Sequence, residues 1–75
     1  MTHYRNIGGN SGVLAFESTA DSITVQFNNG SAYIYTYAIP GKSDVDRMKL
    51  LAENGSGLNS YISSVIKKRY QTKLR

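Results

Sequence analysis

The segment that most restricts the fold is SAYIYTYA, residues 31–38, which carries three of the six tyrosines at every second position. Side chains in a β-strand alternate between the two faces of the sheet, so Tyr33, Tyr35 and Tyr37 are expected to point the same way. The preceding segment, SITVQF, alternates polar and apolar residues, and Asn-Asn-Gly at 28–30 is a strong hairpin signal. The two segments therefore predict an antiparallel β-hairpin.

The face on which the tyrosines lie depends on the turn. A two-residue loop of Asn29 and Gly30 would place them beside the polar residues of SITVQF, as an exposed stripe. A three-residue loop with a left-handed Gly30 would pair Val25 with Tyr33 and bring the tyrosines to the core face, because one residue of slip reverses a strand. Burying a large apolar side chain contributes about 1.5–3 kcal/mol, and a domain this small has few such groups. We therefore favour the second register.

The remaining elements predict an α+β fold. Val13–Glu17 is expected to form a short strand, and the residues after Pro40 change to a helical period. Ser43 is the expected N-cap, Asp44 and Asp46 would suit the helix dipole in the first turn, and Asn54-Gly55 would end the helix.

A second helix is predicted from about Gly57 or Leu58, with an apolar stripe that continues to Ile66. Arg69 falls within that stripe, so the helix should have left the core or ended by this point. The expected architecture is a three-stranded antiparallel β-meander followed by two helices packed on one face, β-β-β-α-α. The predicted divisions are a flexible N-terminal segment 1–12, a domain 13–70 and a basic C-terminal tail 71–75.

Composition argues against several classes of function. Seventy-five residues suit one domain, there is no cysteine, and no apolar run approaches the ~18 residues of a membrane span. The single histidine, His3, has no evident catalytic partner, and Gly41-Lys42-Ser43 lacks the first glycine of a phosphate-binding loop. We expect a monomeric, cytoplasmic protein that is not an enzyme and uses no metal or cofactor.

The charge is concentrated at the C-terminus. Residues 1–66 contain four Lys or Arg against five Asp or Glu, whereas residues 67–75 contain five Lys or Arg and no acid. A basic segment of this kind suits an anionic partner, although cations also suit a solvated helix C-terminus. The candidate nucleic-acid-binding residues are Lys67, Lys68, Arg69, Tyr70, Lys73 and Arg75, with Tyr70 available to stack on a base and with Arg5, Lys42 and Arg47 as possible auxiliaries.

The chain contains an ordered set of short motifs: Phe16-Glu17, Ile23-x-Val25-x-Phe27, Asn29-Gly30, Tyr33-x-Tyr35, Ile39-Pro40, Gly55, Leu58, Asn59 and Ile62. This set resembles the KTSC domain, a short module found at the C-terminus of some lysyl-tRNA synthetases and alone in small bacterial and phage proteins. The resemblance covers about residues 13–70, with a looser match over 41–54 and a departure at Ser63, where the family often has a basic residue. The family's role is generally described as unknown, and RNA binding is suspected from its synthetase context.

Two functions of different classes follow. The first is a module that binds RNA or single-stranded nucleic acid through a basic C-terminal helix. The second is a protein-interaction or accessory structural module, for which an exposed aromatic stripe or a bare edge strand at Val13–Glu17 would serve. Binding of RNA that weakens steeply with salt would distinguish the first from the second.

Overall fold

The computed structural model describes residues 1–7, 9 and 12–75, which form an α+β fold. Its antiparallel sheet follows chain order, β1-β2-β3-β4-β5, and two helices lie between β4 and β5 in the chain. The strands are β1 (Thr2–His3), β2 (Val13–Ser18), β3 (Ser22–Phe27), β4 (Ala32–Thr36) and β5 (Thr72–Lys73). The helices are α1 (Lys42–Asn54) and α2 (Leu58–Tyr61), which is continued by one π-helical turn, Ile62–Ile66.

The α+β class and the central antiparallel meander agree with the sequence prediction, but the number of strands does not. Two further strands of two residues each flank the three that were predicted. A strand of two residues is too short to show an alternating pattern in the sequence. Only its pairing with a longer neighbour defines it.

The N-terminal segment contributes to the core. Thr2 pairs with Phe16 and His3 with Ala15, and the next residue, Tyr4, is only 1% exposed. The Tyr4 hydroxyl accepts a long hydrogen bond from the Leu58 N–H (3.4 Å). The sequence predicted a flexible loop for segment 1–12 and so missed strand β1. Gly8, Asn10 and Ser11 of that segment lie outside the described residues.

The β3–β4 hairpin adopts the favoured register. Val25 pairs with Tyr33 and Ile23 with Tyr35 across the ladder. Gly30 has φ 90° and donates its N–H to the Phe27 carbonyl (3.0 Å), while the Phe27 N–H donates to Ser31 (2.8 Å). The loop therefore holds three residues, with glycine at the position that needs a positive φ.

Helix α1 covers the face that carries the tyrosines. Val45, Met48 and Ala52 are buried against the core that contains Val25 and Tyr35. The predicted N-cap was wrong, because the Gly41 carbonyl already accepts the Val45 N–H (3.0 Å) and Ser43 lies inside the helix. The predicted end was right: Gly55 has φ 76° and its N–H returns to the carbonyls of the last turn.

The second helix closes the core and then reverses the chain. Leu58, Ile62 and Ile66 are buried, and the π turn is closed by the Lys67 N–H on the Ile62 carbonyl (2.5 Å). Lys67 has φ 55°, a strained conformation for a residue with a side chain, and the helix ends there. The sequence predicted that by Arg69 the helix would have left the core or ended, and it has ended. Among the described residues no helix has the length and apolar character that a membrane span requires.

Candidate functional site

The basic C-terminal segment returns along the sheet instead of continuing a helix. Lys73 pairs with Tyr33 in β4, the Gln71 N–H donates to the Ile34 carbonyl (2.8 Å), and the Leu74 N–H donates to the Ala32 carbonyl (2.7 Å). The prediction of a basic C-terminal helix was therefore wrong, because helical hydrogen bonding stops at the π turn. The predicted tail 71–75 forms the edge of the sheet.

The Tyr70 side chain is already engaged within the protein. Its ring centroid lies 4.6 Å from that of Tyr33 and 6.4 Å from that of Tyr35, the second contact being edge-to-face. Phe27 adds a further edge contact to Tyr33 at 5.8 Å. We call Phe27, Tyr33, Tyr35 and Tyr70 the aromatic cluster. Phe27, Tyr33 and Tyr70 are each partly exposed, so these three rings of the cluster can still meet a base.

Burial within the aromatic cluster alters the acidity of its central tyrosine. Tyr35 is only 1% exposed. Burial, followed by the neighbouring phenols of Tyr33 and Tyr70, raises the pKa of Tyr35 to about 12. Tyr35 is therefore a neutral core residue at physiological pH, and only its half-buried neighbours in the cluster can contact a ligand.

The five cations of the C-terminal segment differ in whether a contact within the protein balances their charge. Arg69 donates to the Val65 carbonyl (2.8 Å) and lies 3.4 Å from the Asp44 carboxylate, so part of its charge is balanced. The Lys73 ammonium lies 5.8 Å from the centroid of the Tyr33 ring, a cation–π contact. Lys67, Lys68 and Arg75 are exposed and form no ion pair with any described residue.

Most cations elsewhere have partners. Lys42 forms an ion pair with Asp46 (2.9 Å), Lys49 donates to the Thr19 carbonyl (2.7 Å), and Arg5 donates to the Glu53 carbonyl (2.5 Å). Of the three proposed auxiliaries, only Arg47 is exposed without a hydrogen bond or ion pair to the described residues. The available positive charge is therefore concentrated in residues 67–75.

The two aspartates of α1 serve tertiary contacts in addition to the helix dipole. Tyr37 donates its hydroxyl to Asp46 (2.6 Å), and Tyr61 donates to Asp44 (2.8 Å). Hydrogen bonds from Lys42 and then Tyr37 lower the pKa of Asp46, while the bond to Asp46 raises the pKa of Tyr37. Only Asp44 lies in the first turn, so the sequence interpretation of Asp46 was incomplete.

A pocket of about 420 Å³ opens at the hairpin end of the sheet. Two aromatic side chains and several small or polar residues surround it. The lining residues are Gly12, Phe27, Asn28, Asn29, Ser31 and Tyr33. From the sequence, the Asn-Asn-Gly loop predicted only a turn. The signal for the pocket was an aromatic residue on each side of that loop, Phe27 and Tyr33.

The alternative of a bare edge at Val13–Glu17 does not fit the sheet. Strand β2 lies between β1 and β3, so Ala15 and Phe16 are paired on both sides. No group of three or more His, Asp or Glu residues within the described part of the chain could hold a metal ion.

Comparison of the chain with protein-family models, with curated proteins and with solved structures finds no match. The candidate site is therefore defined by its geometry: exposed cations on a segment that is docked beside partly exposed aromatic rings.

Proposed function

We propose that this protein is a non-enzymatic, KTSC-like module that binds single-stranded nucleic acid, RNA in particular, through residues 67–75. The observation that carries the proposal is the distribution of available charge. Lys67, Lys68 and Arg75 have no acidic partner among the described residues, and Lys73 lies on an aromatic ring. We also propose that the module acts as a monomer in the cytoplasm.

Phosphates and bases require different groups, and this surface offers both. Lysine and arginine neutralise phosphates without reading sequence, whereas aromatic rings stack on unpaired bases of any kind. The basic segment runs antiparallel to β4, which places Lys73 directly opposite Tyr33. A flexible single strand can follow such a surface with its bases toward the rings. We expect micromolar or weaker affinity with little sequence preference.

The resemblance to the KTSC family supports the proposal at the level of the scaffold. The motif residues Ile23, Val25 and Tyr35 are buried, so this part of the shared pattern describes a core. The suspected RNA-binding role of the family agrees with the basic segment, which lies mostly outside the motifs. The site assignment therefore rests on the charges and rings of this chain.

Fluorescence anisotropy with a labelled, mixed-sequence RNA at low salt tests the proposal. Three double variants each remove two positive charges, so all three have the same net charge. They are Lys67→Gln with Lys68→Gln, Lys73→Gln with Arg75→Gln, and, as the control, Lys42→Gln with Arg47→Gln. We expect both C-terminal variants to weaken binding and the control to retain it.

The salt dependence of these variants separates local contacts from a general field effect. Each lost phosphate contact should make the slope of log K against log salt shallower by about 0.7, hence by about 0.7 to 1.4 for each C-terminal pair if the two pairs share about three contacts. An equal loss in the control would mean that only net charge matters. A parent protein that does not bind RNA at low salt would refute the proposal and favour the protein-interaction module.

A further inference from the structure

We infer that the pocket at the β3–β4 loop receives one unpaired nucleobase of the bound strand. This inference rests on the proposed function and deepens it, because it assigns base contact to a site separate from the phosphate-binding cations. The pocket is lined by Phe27, Tyr33 and the polar residues of the hairpin loop. A nucleobase has an apolar face and a polar edge. The two rings suit the face, and the polar loop residues suit the edge.

The aromatic walls are available and held in position. Phe27 and Tyr33 are each partly exposed, and their rings meet at 5.8 Å with an interplanar angle of 74°. The Tyr70 ring packs against Tyr33 with its centroid 4.6 Å away. A base that enters the pocket therefore meets rings already fixed by packing, so little side-chain order has to be gained on binding.

The polar side of the pocket comes from the loop itself. The Asn29 Oδ1 atom accepts hydrogen bonds from the Ser31 N–H (3.0 Å) and the Ser31 hydroxyl (2.7 Å). These bonds hold the orientation of the Asn29 amide, whose Nδ2 group is a hydrogen-bond donor. Nucleobases carry carbonyl and ring-nitrogen acceptors along their edges, so a fixed amide donor suits each of them.

The charge beside the pocket suits a strand instead of a neutral planar molecule. Lys73 is paired with Tyr33, and its ammonium lies 5.8 Å from that ring. Arg75 joins the start of β4, since its N–H donates to the Ala32 carbonyl (3.3 Å). None of the six lining residues is acidic. The phosphates that flank an inserted base would therefore meet cations.

Paired oligonucleotides test the inference without altering the protein. One is a short uridine oligonucleotide, and the other has the same length and phosphates but abasic sugars. We expect the intact oligonucleotide to bind on the order of tenfold more tightly, since stacking of one base on an aromatic side chain is typically worth this much. Free uridine monophosphate, which lacks the other phosphates, should bind far more weakly than either strand.

Two variants locate the effect. Phe27→Leu should remove most of the difference between the intact and abasic strands, whereas Tyr33→Phe keeps the ring and should preserve it. Equal binding of the two strands by the parent would overturn the base pocket and leave the proposed function intact. Failure of both strands to bind would overturn both. Uridine monophosphate that binds as tightly as the strand would overturn the assignment to a strand.

Discussion

Replacement of Tyr35 by alanine should remove much of the stability of the domain. The side chain is 1% exposed, faces Ile23 across the ladder and meets the edge of Tyr70. Truncation of a buried aromatic residue typically costs about 3–5 kcal/mol, because transfer energy is lost and a cavity remains. A chain of this length is stable by roughly 4–11 kcal/mol in total, so the variant is expected to be marginally folded.

Equilibrium urea unfolding, followed by circular dichroism, measures this loss. At an m-value of about 1 kcal/mol/M, a loss of about 3–5 kcal/mol should lower the unfolding midpoint by about 3–5 M. Ile39→Ala is the matched control, because Ile39 is 43% exposed and its truncation should cost well under 1 kcal/mol. Tyr33→Ala should fall between the two. A Tyr35→Ala protein within about 1 kcal/mol of the parent would show that the tyrosine face is not the core.

Three further predictions concern backbone, pH and salt. Gly55→Ala should destabilise the protein more than Gly30→Ala. Both positions have positive φ, but a Cβ at Gly55 would lie 2.7 Å from the Arg5 Cβ, whereas the space around Gly30 is open. Equal unfolding midpoints for the two variants would contradict this prediction. The pKa of Tyr35 is raised from 10.0 to about 12, so its contribution to stability is complete below pH 10 and is lost as the pH rises towards 12. Phenolate absorbance should therefore include a component that ionises well above pH 10, together with unfolding, and ionisation of all tyrosines near pH 10 in a folded protein would refute this. Neutralisation of about three phosphates predicts a slope of log K against log salt of about −2 for single-stranded RNA, and a flat dependence would exclude a phosphate-based site.

The sequence predicted the register of the central hairpin because burial energy favoured one of the two turns that Asn-Asn-Gly allows. Gly30 could provide the positive φ of a three-residue loop, and that loop alone placed the tyrosines on the core face. The end of α1 at Gly55 followed from a local rule, the preference of glycine for the left-handed conformation. The N-cap predicted at Ser43 failed, because the helix begins two residues earlier, after Gly41.

Features that depend on contacts between distant residues could not be predicted. Strands β1 and β5 exist because they pair with β2 and β4, and the π turn redirects the basic segment before it can extend a helix. Tyr70 lies in the aromatic cluster for the same reason. The sequence therefore named the cations of the candidate site, but its partly exposed rings at Phe27 and Tyr33, its shape and the pocket beside it required the fold.

An amide NMR titration of the parent protein with a short mixed-sequence RNA at low salt locates the binding surface residue by residue. We expect chemical-shift changes concentrated in residues 67–75 and in the loop and strand ends at 27–33, with little change around Arg47 on α1. Changes that centre on α1, or no changes at all at low salt, would refute RNA binding through residues 67–75.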